Sequence, residues 1–212
     1  LTRTNRRVGR VSYAGAQAAS ENINTAIMRE AIAIQMTWPG APTLYYGDEA
    51  GVCGFTDPDN RRTYPWGHED HDLINFHKKM IRIHKACPAI MKGSVKILWA
   101  DYNYLAYGRF TEEDQVLVVF NAGKDTIERT VRVRDIGIGA GDNLIQLLMT
   151  DGDGYHTDAV VYQMNQYDVT VKLPPTSAIV LNAQQSGEDE LLWKNGNIGQ
   201  ISEIHTSWTD SI

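Results

Sequence analysis

The stretch Pro39-Gly40-Ala41-Pro42-Thr43-Leu44-Tyr45-Tyr46-Gly47-Asp48-Glu49 decides how the rest of the chain is read. Its Pro and Gly close whatever precedes them. Thr43 to Tyr46 is a short β-prone run, and Asp48 and Glu49 stand directly at its carboxyl end. Upstream, residues 20 to 37 read as a helix. Ser20 is its N-cap, and Glu21 sits in the first turn beside the positive end of the dipole. Ile23, Ile27, Met28, Ala31 and Ile34 fall at helical spacing as one apolar stripe, widened by Ile32 and Met36. Downstream, Gly51 to Asp70 is rich in Gly, Pro, Asp and Asn, a loop long enough to suggest function. A second helix runs from His71 to Ala86. Leu73, Ile74, Phe76, Met80, Ile81 and Ile83 supply its buried side, and Pro88 stops it. Helix, strand, long loop and helix is the grammar of α/β units on a parallel sheet. One strand makes no sheet, so residues 1–92 read as the closing section of a larger parallel structure. The strand edges around Thr43–Tyr46 are then left for a missing partner segment or a second copy of the chain.

Near residue 93 the hydrophobic period changes from helical to two. Strand-like runs follow at Val95–Trp99, Tyr104–Phe110, Val116–Phe120, Thr126–Arg134, Leu144–Met149, Ala159–Gln163, Asp168–Leu173 and Ala178–Leu181. Gly-, Asp- and Pro-rich turns separate them, among them Asp151-Gly152-Asp153-Gly154 and Pro174-Pro175. Short, regularly spaced strands predict an all-β antiparallel sandwich over residues 93–183. Residues 184–212 form a tail with no assignment.

Composition narrows the function. The chain has 212 residues, with 20 basic against 26 acidic side chains and a formal charge of −6. A nucleic-acid binder needs a concentrated basic face, so that class is set aside. No run of about 18 apolar residues predicts a membrane span. Cys53 and Cys87 make no disulfide framework. Arg3, Arg6, Arg7 and Arg10 at one end, and the acidic Glu188, Asp189, Glu190, Glu203 and Asp210 at the other, read as two solvated ends. The chain starts at Leu1 with no visible signal peptide, and reads as a piece of something longer. The sequence assigns no compartment.

Several groups invite a chemical reading. Asp48 and Glu49 look like a carboxylate pair, and retaining glycosidases need two carboxyls roughly 5 Å apart. Strand neighbours point to opposite faces, however, so the two do not aim at one bond. One is expected to brace the loop and the other to pair with a basic group. His68 and His71 lack the further ligands of a zinc site, and the local acids read as a helix start. Counted from Asp151, a calcium loop would need acids where Tyr155 and Tyr162 stand, so a hairpin turn is the better use. No cofactor is predicted, and no phosphate loop or serine or thiol nucleophile motif stands out.

The 39–49 stretch, with Asp57-Pro58-Asp59-Asn60-Arg61-Arg62 and Pro65-Trp66 after it, resembles glycoside hydrolase family 13, the α-amylase family. The similarity is greatest to its neopullulanase, cyclomaltodextrinase and maltogenic amylase branch. The resemblance implies the last strand and flanking helices of a TIM (β/α)8 barrel, followed by an antiparallel β-sandwich. It implies an α-glucan or maltooligosaccharide substrate and a retaining mechanism in the parent enzyme. The family's catalytic acid, nucleophile and third carboxylate would all lie before Leu1, so the chain alone is expected to be inactive. Calcium, bound by some relatives, would sit upstream too.

By the same resemblance, Asp57 and Arg61 would hold a glucose unit a few subsites from the cut bond. A carboxylate accepts from vicinal hydroxyls and a guanidinium donates a planar fork. The alternative is a loop salt bridge without a ligand. Tyr45, Tyr46, Tyr64 and Trp66 could stack on sugar rings. Core packing is expected for at least one of Tyr45 and Tyr46, while Trp66 is either cleft wall or hydrophobic plug. Two rival readings remain: a non-enzymatic relative that keeps only the shape, and a carbohydrate-binding module. The second would show exposed aromatics on one sheet face, drawn from Tyr102, Tyr104, Tyr107, Tyr155, Tyr162 and Tyr167.

Overall fold

A computed structural model describes residues 16–184. The charged ends and nearly all of the 184–212 tail lie outside the described residues. Among the described residues three α-helices, α1 (Thr25–Thr37), α2 (His71–Ala86) and α3 (Pro88–Lys92), precede ten strands. The strands are β1 (Ser94–Ala100), β2 (Tyr104–Phe110), β3 (Gln115–Asn121), β4 (Ile127–Arg132), β5 (Asn143–Thr150), β6 (Tyr155–His156), β7 (Val161–Tyr162), β8 (Met164–Asn165), β9 (Asp168–Leu173) and β10 (Ser177–Gln184). All strand pairs are antiparallel. The larger sheet runs β1-β2-β3-β10-β5-β6 with β7 also on β5, and the smaller runs β4-β9-β8.

The period of two explains the layering. On β3, Val116, Val118 and Phe120 point to the helices, and Leu117 and Val119 point to the smaller sheet. On β10, Ala178 and Val180 face the helices while Ile179 and Leu181 face the smaller sheet. Both strands are therefore apolar on both faces, and every residue of β3 is buried. The smaller sheet covers one face only and alternates. Val131, Val169, Val171 and Leu173 point inward, while the Thr130 and Thr170 hydroxyls meet at 2.9 Å outside. The sandwich is thus a three-layer stack of helices, large sheet and small sheet. Several strand boundaries shift from expectation; β10, for one, runs on from Leu181 to Gln184. Thr126–Arg134 ends at Arg132, because a 3-10 turn from Arg134 to Ile136 tucks Ile136 into the core. Ala159–Gln163 shrinks to the two residues of β7.

The helices differ from the sequence reading in instructive ways. Ser20 caps nothing, for it closes a single 3-10 turn from Ala16 to Ser20. Asn22 lies at φ +54, a left-handed conformation that an α-helix cannot contain. The helix starts two residues later, where Asn24 accepts from the Ala26 N–H at 3.0 Å. The face α1 buries is Ala26, Arg29, Ile32, Ala33, Met36 and Thr37. Ile23, Ile34 and Ala31 of the expected stripe are exposed, and Ile27 and Met28 are half-buried. The helix is apolar nearly all round, and this chain covers one side. Helix α2 matches its expected span, with Asp70 accepting from the Leu73 N–H at 3.0 Å. Pro88 not only stops it but opens α3 from its first turn.

Thr43 to Tyr46 is not a strand. It pairs with no strand among the described residues, and residues 46–51 are turns. A barrel strand is held by ladders on both sides, and a single β-prone run cannot supply its own partners.

Two buried arginines fasten α1 to the large sheet. Arg109 on β2 is 1% exposed. It donates to the carbonyls of Thr37 at 2.7 Å, Gly93 at 2.8 Å and Ser94 at 3.3 Å. The Thr37 carbonyl is the unsatisfied, partially negative end of α1. Beside it, the hydroxyls of Thr37 and Tyr107 meet at 2.5 Å. Nearer the start of α1, Arg29 donates to the Thr150 hydroxyl at 2.8 Å and the Asp151 carbonyl at 2.7 Å. The junction between α3 and β1 is tight enough to demand glycine: a Cβ on Gly93 would run into the carbonyl oxygens of Ala89 and Phe110.

Candidate functional site

The segment between α1 and α2 is built from turns rather than ladders. Gly47 adopts φ +89, and its carbonyl accepts from Ala50 at 3.0 Å and Val52 at 2.9 Å. This winding sends the two adjacent acids apart. Glu49 turns inward to brace the loop, accepting from the Gly47 N–H at 3.0 Å and bonding the Tyr64 hydroxyl. Asp48 points into a cavity of about 520 Å³, where burial holds its carboxyl above the usual carboxylate range. The expected bracing acid is therefore Glu49. The expected basic partner for the other is replaced by a cavity wall, although the charge His77 can carry opposes the burial effect on Asp48.

The cavity lies between the start of α1, the 45–60 loop and the start of α2. Ile23, Met28, Val52, Phe55 and Leu73 make its walls apolar, and Tyr45, Tyr46, Asp48 and Asn60 supply polar groups. The Asn60 Oδ1 atom is buried without a hydrogen-bond partner. Cys53 also lines it, its thiol raised by burial and bonded to the Gly51 carbonyl at 3.4 Å.

Asp57 and Arg61 meet on the outer side of this loop. Arg61 Nε lies 3.1 Å from Asp57 Oδ1, and Nη2 donates to Oδ2 at 3.3 Å, a two-pronged fork. Their side chains are 70% and 59% exposed. The loop salt bridge is present, then, and it leaves both groups open to solvent. The aromatics pair off: Tyr45 with Tyr46 at 4.8 Å between ring centres, and Tyr64 with Trp66 at 4.6 Å. The core packing expected for Tyr45 or Tyr46 does not occur, because no sheet forms there to bury them. They are 44% and 47% exposed, and the Tyr46 hydroxyl donates to the Arg62 carbonyl at 3.0 Å. Trp66 is 80% exposed and plugs nothing among the described residues.

The other sequence candidates are structural. Asp70 caps α2. Asp151 accepts from the backbone N–H groups of Asp153 and Gly154, which makes its Gly-rich run the turn between β5 and β6. Among the described residues, no three His, Cys, Asp or Glu side chains gather as metal ligands do, and no helix is long and apolar enough to cross a membrane. Sequence reasoning missed Arg29 and Arg109. The signal was there: a guanidinium on an apolar helix face, and another between Gly108 and Phe110 in a β-prone run.

Comparison with known proteins fits this geometry. Residues 99–184 match the family described as "Alpha amylase, C-terminal all-beta domain". An amylopullulanase of Thermoanaerobacter thermohydrosulfuricus is 31% identical over 206 residues, covering 87% of this chain and 14% of that protein. Neopullulanase 2 of Thermoactinomyces vulgaris is 38% identical over 102 residues, covering 46% of this chain and 17% of its own length. Among solved structures, a cyclomaltodextrinase superposes with a TM-score of 0.63 at 26% identity, over 78% of this chain and 27% of that one. An α-amylase from Geobacillus thermoleovorans, at 20% identity and a TM-score of 0.67, shares the fold over 82% of this chain and 37% of its own. The family match covers the all-β part of the chain, and the relatives it resembles are amylopullulanase, neopullulanase and cyclomaltodextrinase. Residues 99–184 form an all-β domain of the α-amylase C-terminal type, and the whole chain spans a small fraction of these relatives.

Proposed function

We propose that the chain is the C-terminal part of a retaining α-glucan hydrolase, with residues 1–92 closing its (β/α)8 barrel and residues 93–183 forming its sandwich. The outer side of α1 supports this division. Ile34 is exposed there, and so are Ile23 and Trp38 just beyond the helix ends and the run through Leu44, Tyr45 and Tyr46, which joins no strand among the described residues. The missing N-terminal portion of the barrel would cover them, with a homodimer partner as the other candidate. In this reading Asp57 and Arg61 grip the hydroxyls of one glucose unit, and Trp66 and Tyr45 offer ring faces to its C–H side. The acid, nucleophile and third carboxylate belong to the missing portion, so the isolated chain binds maltooligosaccharides without cutting them. The observation that carries the reading is the exposed Asp57–Arg61 fork, standing near three exposed rings, Tyr45, Tyr46 and Trp66.

Saturation-transfer NMR with maltotriose tests it. The wild-type chain is expected to transfer magnetisation to the sugar, and a D57A/R61A chain to lose that transfer. Equal transfer by both would refute the subsite. Release of nitrophenol from a chromogenic maltoside by the isolated chain would refute its inactivity.

A further inference from the structure

The cavity between the start of α1, the 45–60 loop and the start of α2 has no part in gripping glucose, yet its lining is unbalanced. Ile23, Met28, Val52 and Leu73 give it apolar walls. Asp48 and Asp70 add two carboxyls, and among the described residues that line it none is lysine, arginine or histidine. Asp70 is already engaged. It accepts from the Leu73 N–H at 3.0 Å, and Arg29 lies within reach of its charge. Asp48 accepts from the Tyr45 N–H, and Glu49 beside it adds a second negative charge. The counter-charge that Asp48 feels is the one His77 can carry, and that ring is 2% exposed and not part of the lining. A further acceptor, Asn60 Oδ1, is buried at the same cavity with no hydrogen-bond partner.

We propose that this cavity is the socket for one basic side chain, lysine or arginine, carried by the N-terminal portion that precedes this chain in the reading above. The inference rests on that reading and adds to it the chemistry of one contact between the two portions. A buried acceptor left without a donor is costly, and a buried carboxylate without a cation more so. A carboxylate and an amide oxygen at one cavity are both relieved by a single group that brings positive charge and several N–H donors. The apolar walls select what carries that group. Lysine and arginine hold their charge at the end of a methylene stem, and such stems bury along apolar surface. A volume of about 520 Å³ holds either side chain together with the backbone that delivers it. Ile23 and Tyr45, which line the cavity, are also exposed on the side left for that portion.

Pentylguanidinium is a free mimic of that side chain, and the Met28 methyl on the cavity wall reports its entry. The full chain, labelled with carbon-13 at its methionine methyls, is titrated at pH 7.5 with pentylguanidinium, 1-pentanol and maltotriose, beside D48N. The amide of D48N keeps an oxygen for the Tyr45 N–H, so the turn is retained and only the charge goes. The buried Met36 and Met80 methyls confirm that both chains are folded. The expected result is a Met28 shift with pentylguanidinium, and binding about tenfold weaker for pentanol and for D48N, the size of one charge-assisted hydrogen bond. Equal binding of pentanol and pentylguanidinium means an apolar occupant and overturns the socket. Unchanged affinity in D48N overturns it, and so does a Met28 methyl that pentylguanidinium does not move. A Met28 shift that grows with chain concentration alone gives the cavity to a second copy and overturns it too. A Met28 shift with maltotriose but not with pentylguanidinium makes the cavity part of the sugar cleft, which overturns the socket and leaves the α-glucan reading standing. Loss of the glucose subsite in the saturation-transfer test, with the pentylguanidinium response intact in D57A/R61A, does the reverse.

Discussion

Arg109 and Arg61 each spread a guanidinium over two or more oxygens, one beneath the helices and one on the 45–70 loop. Arg109 is itself buried, and its shortest contacts are with the backbone carbonyls of Thr37 and Gly93. Arg61 lies in water, and its partner is a carboxylate that water would solvate equally well. The same fork therefore welds α1 to the sandwich in one place and costs little to open in the other. An interaction that is cheap to open is what a ligand-binding loop needs, because the sugar must displace part of it.

Stability measurements can break that comparison. R109A leaves three carbonyls short of a donor, two of them at hydrogen-bond distances below 3 Å. Each unmet buried group costs about 1–3 kcal/mol, so urea unfolding should show a loss of about 3–5 kcal/mol. R29A removes the second fastening, to Thr150 and Asp151, with an expected loss of about 2–3 kcal/mol in the same assay. D57A should change stability by less than about 1 kcal/mol, the value of an exposed pair. If D57A cost as much as R109A, the contrast between the two regions would be wrong.

A smaller, pH-dependent effect sits between them on α1. Glu30 is half-buried, with one carboxyl oxygen unpartnered, and burial raises its pKa from 4.5 to about 7. The folded chain thus keeps a proton that the unfolded chain releases. Stability is fully present below about pH 4.5, falls as pH rises, and levels off above about 7. Solvent screening of a half-exposed group limits the effect to about 1 kcal/mol. Unfolding midpoints from pH 4.5 to 7.5 should decline for wild type, and E30Q should flatten that contribution. An identical slope in both chains would move the effect to another group.

The legible part of the molecule was the part governed by local pattern. The strand-like runs at Asp168–Leu173 and Tyr104–Phe110 matched to the residue, and the acidic start with its 3–4 spacing marked α2. The site was legible as a motif: Asp57 and Arg61 stand four residues apart, close enough to meet once the chain turns. The start and buried face of α1 were not legible. A helix with apolar residues on nearly every side names no preferred face, and the left-handed Asn22 is invisible in a propensity.

The sequence by itself determined the change of period at residue 93, the sandwich that follows and the family motif before it, because side-chain alternation is a local property of an extended chain. Only the tertiary structure decided which side of α1 meets the sheet, that Arg29 and Arg109 fasten it there, and that Thr43–Tyr46 has no ladder to join. Those outcomes depend on which surfaces and donors lie opposite one another, and partners brought together across 70 or 120 residues leave no mark in the spacing of either.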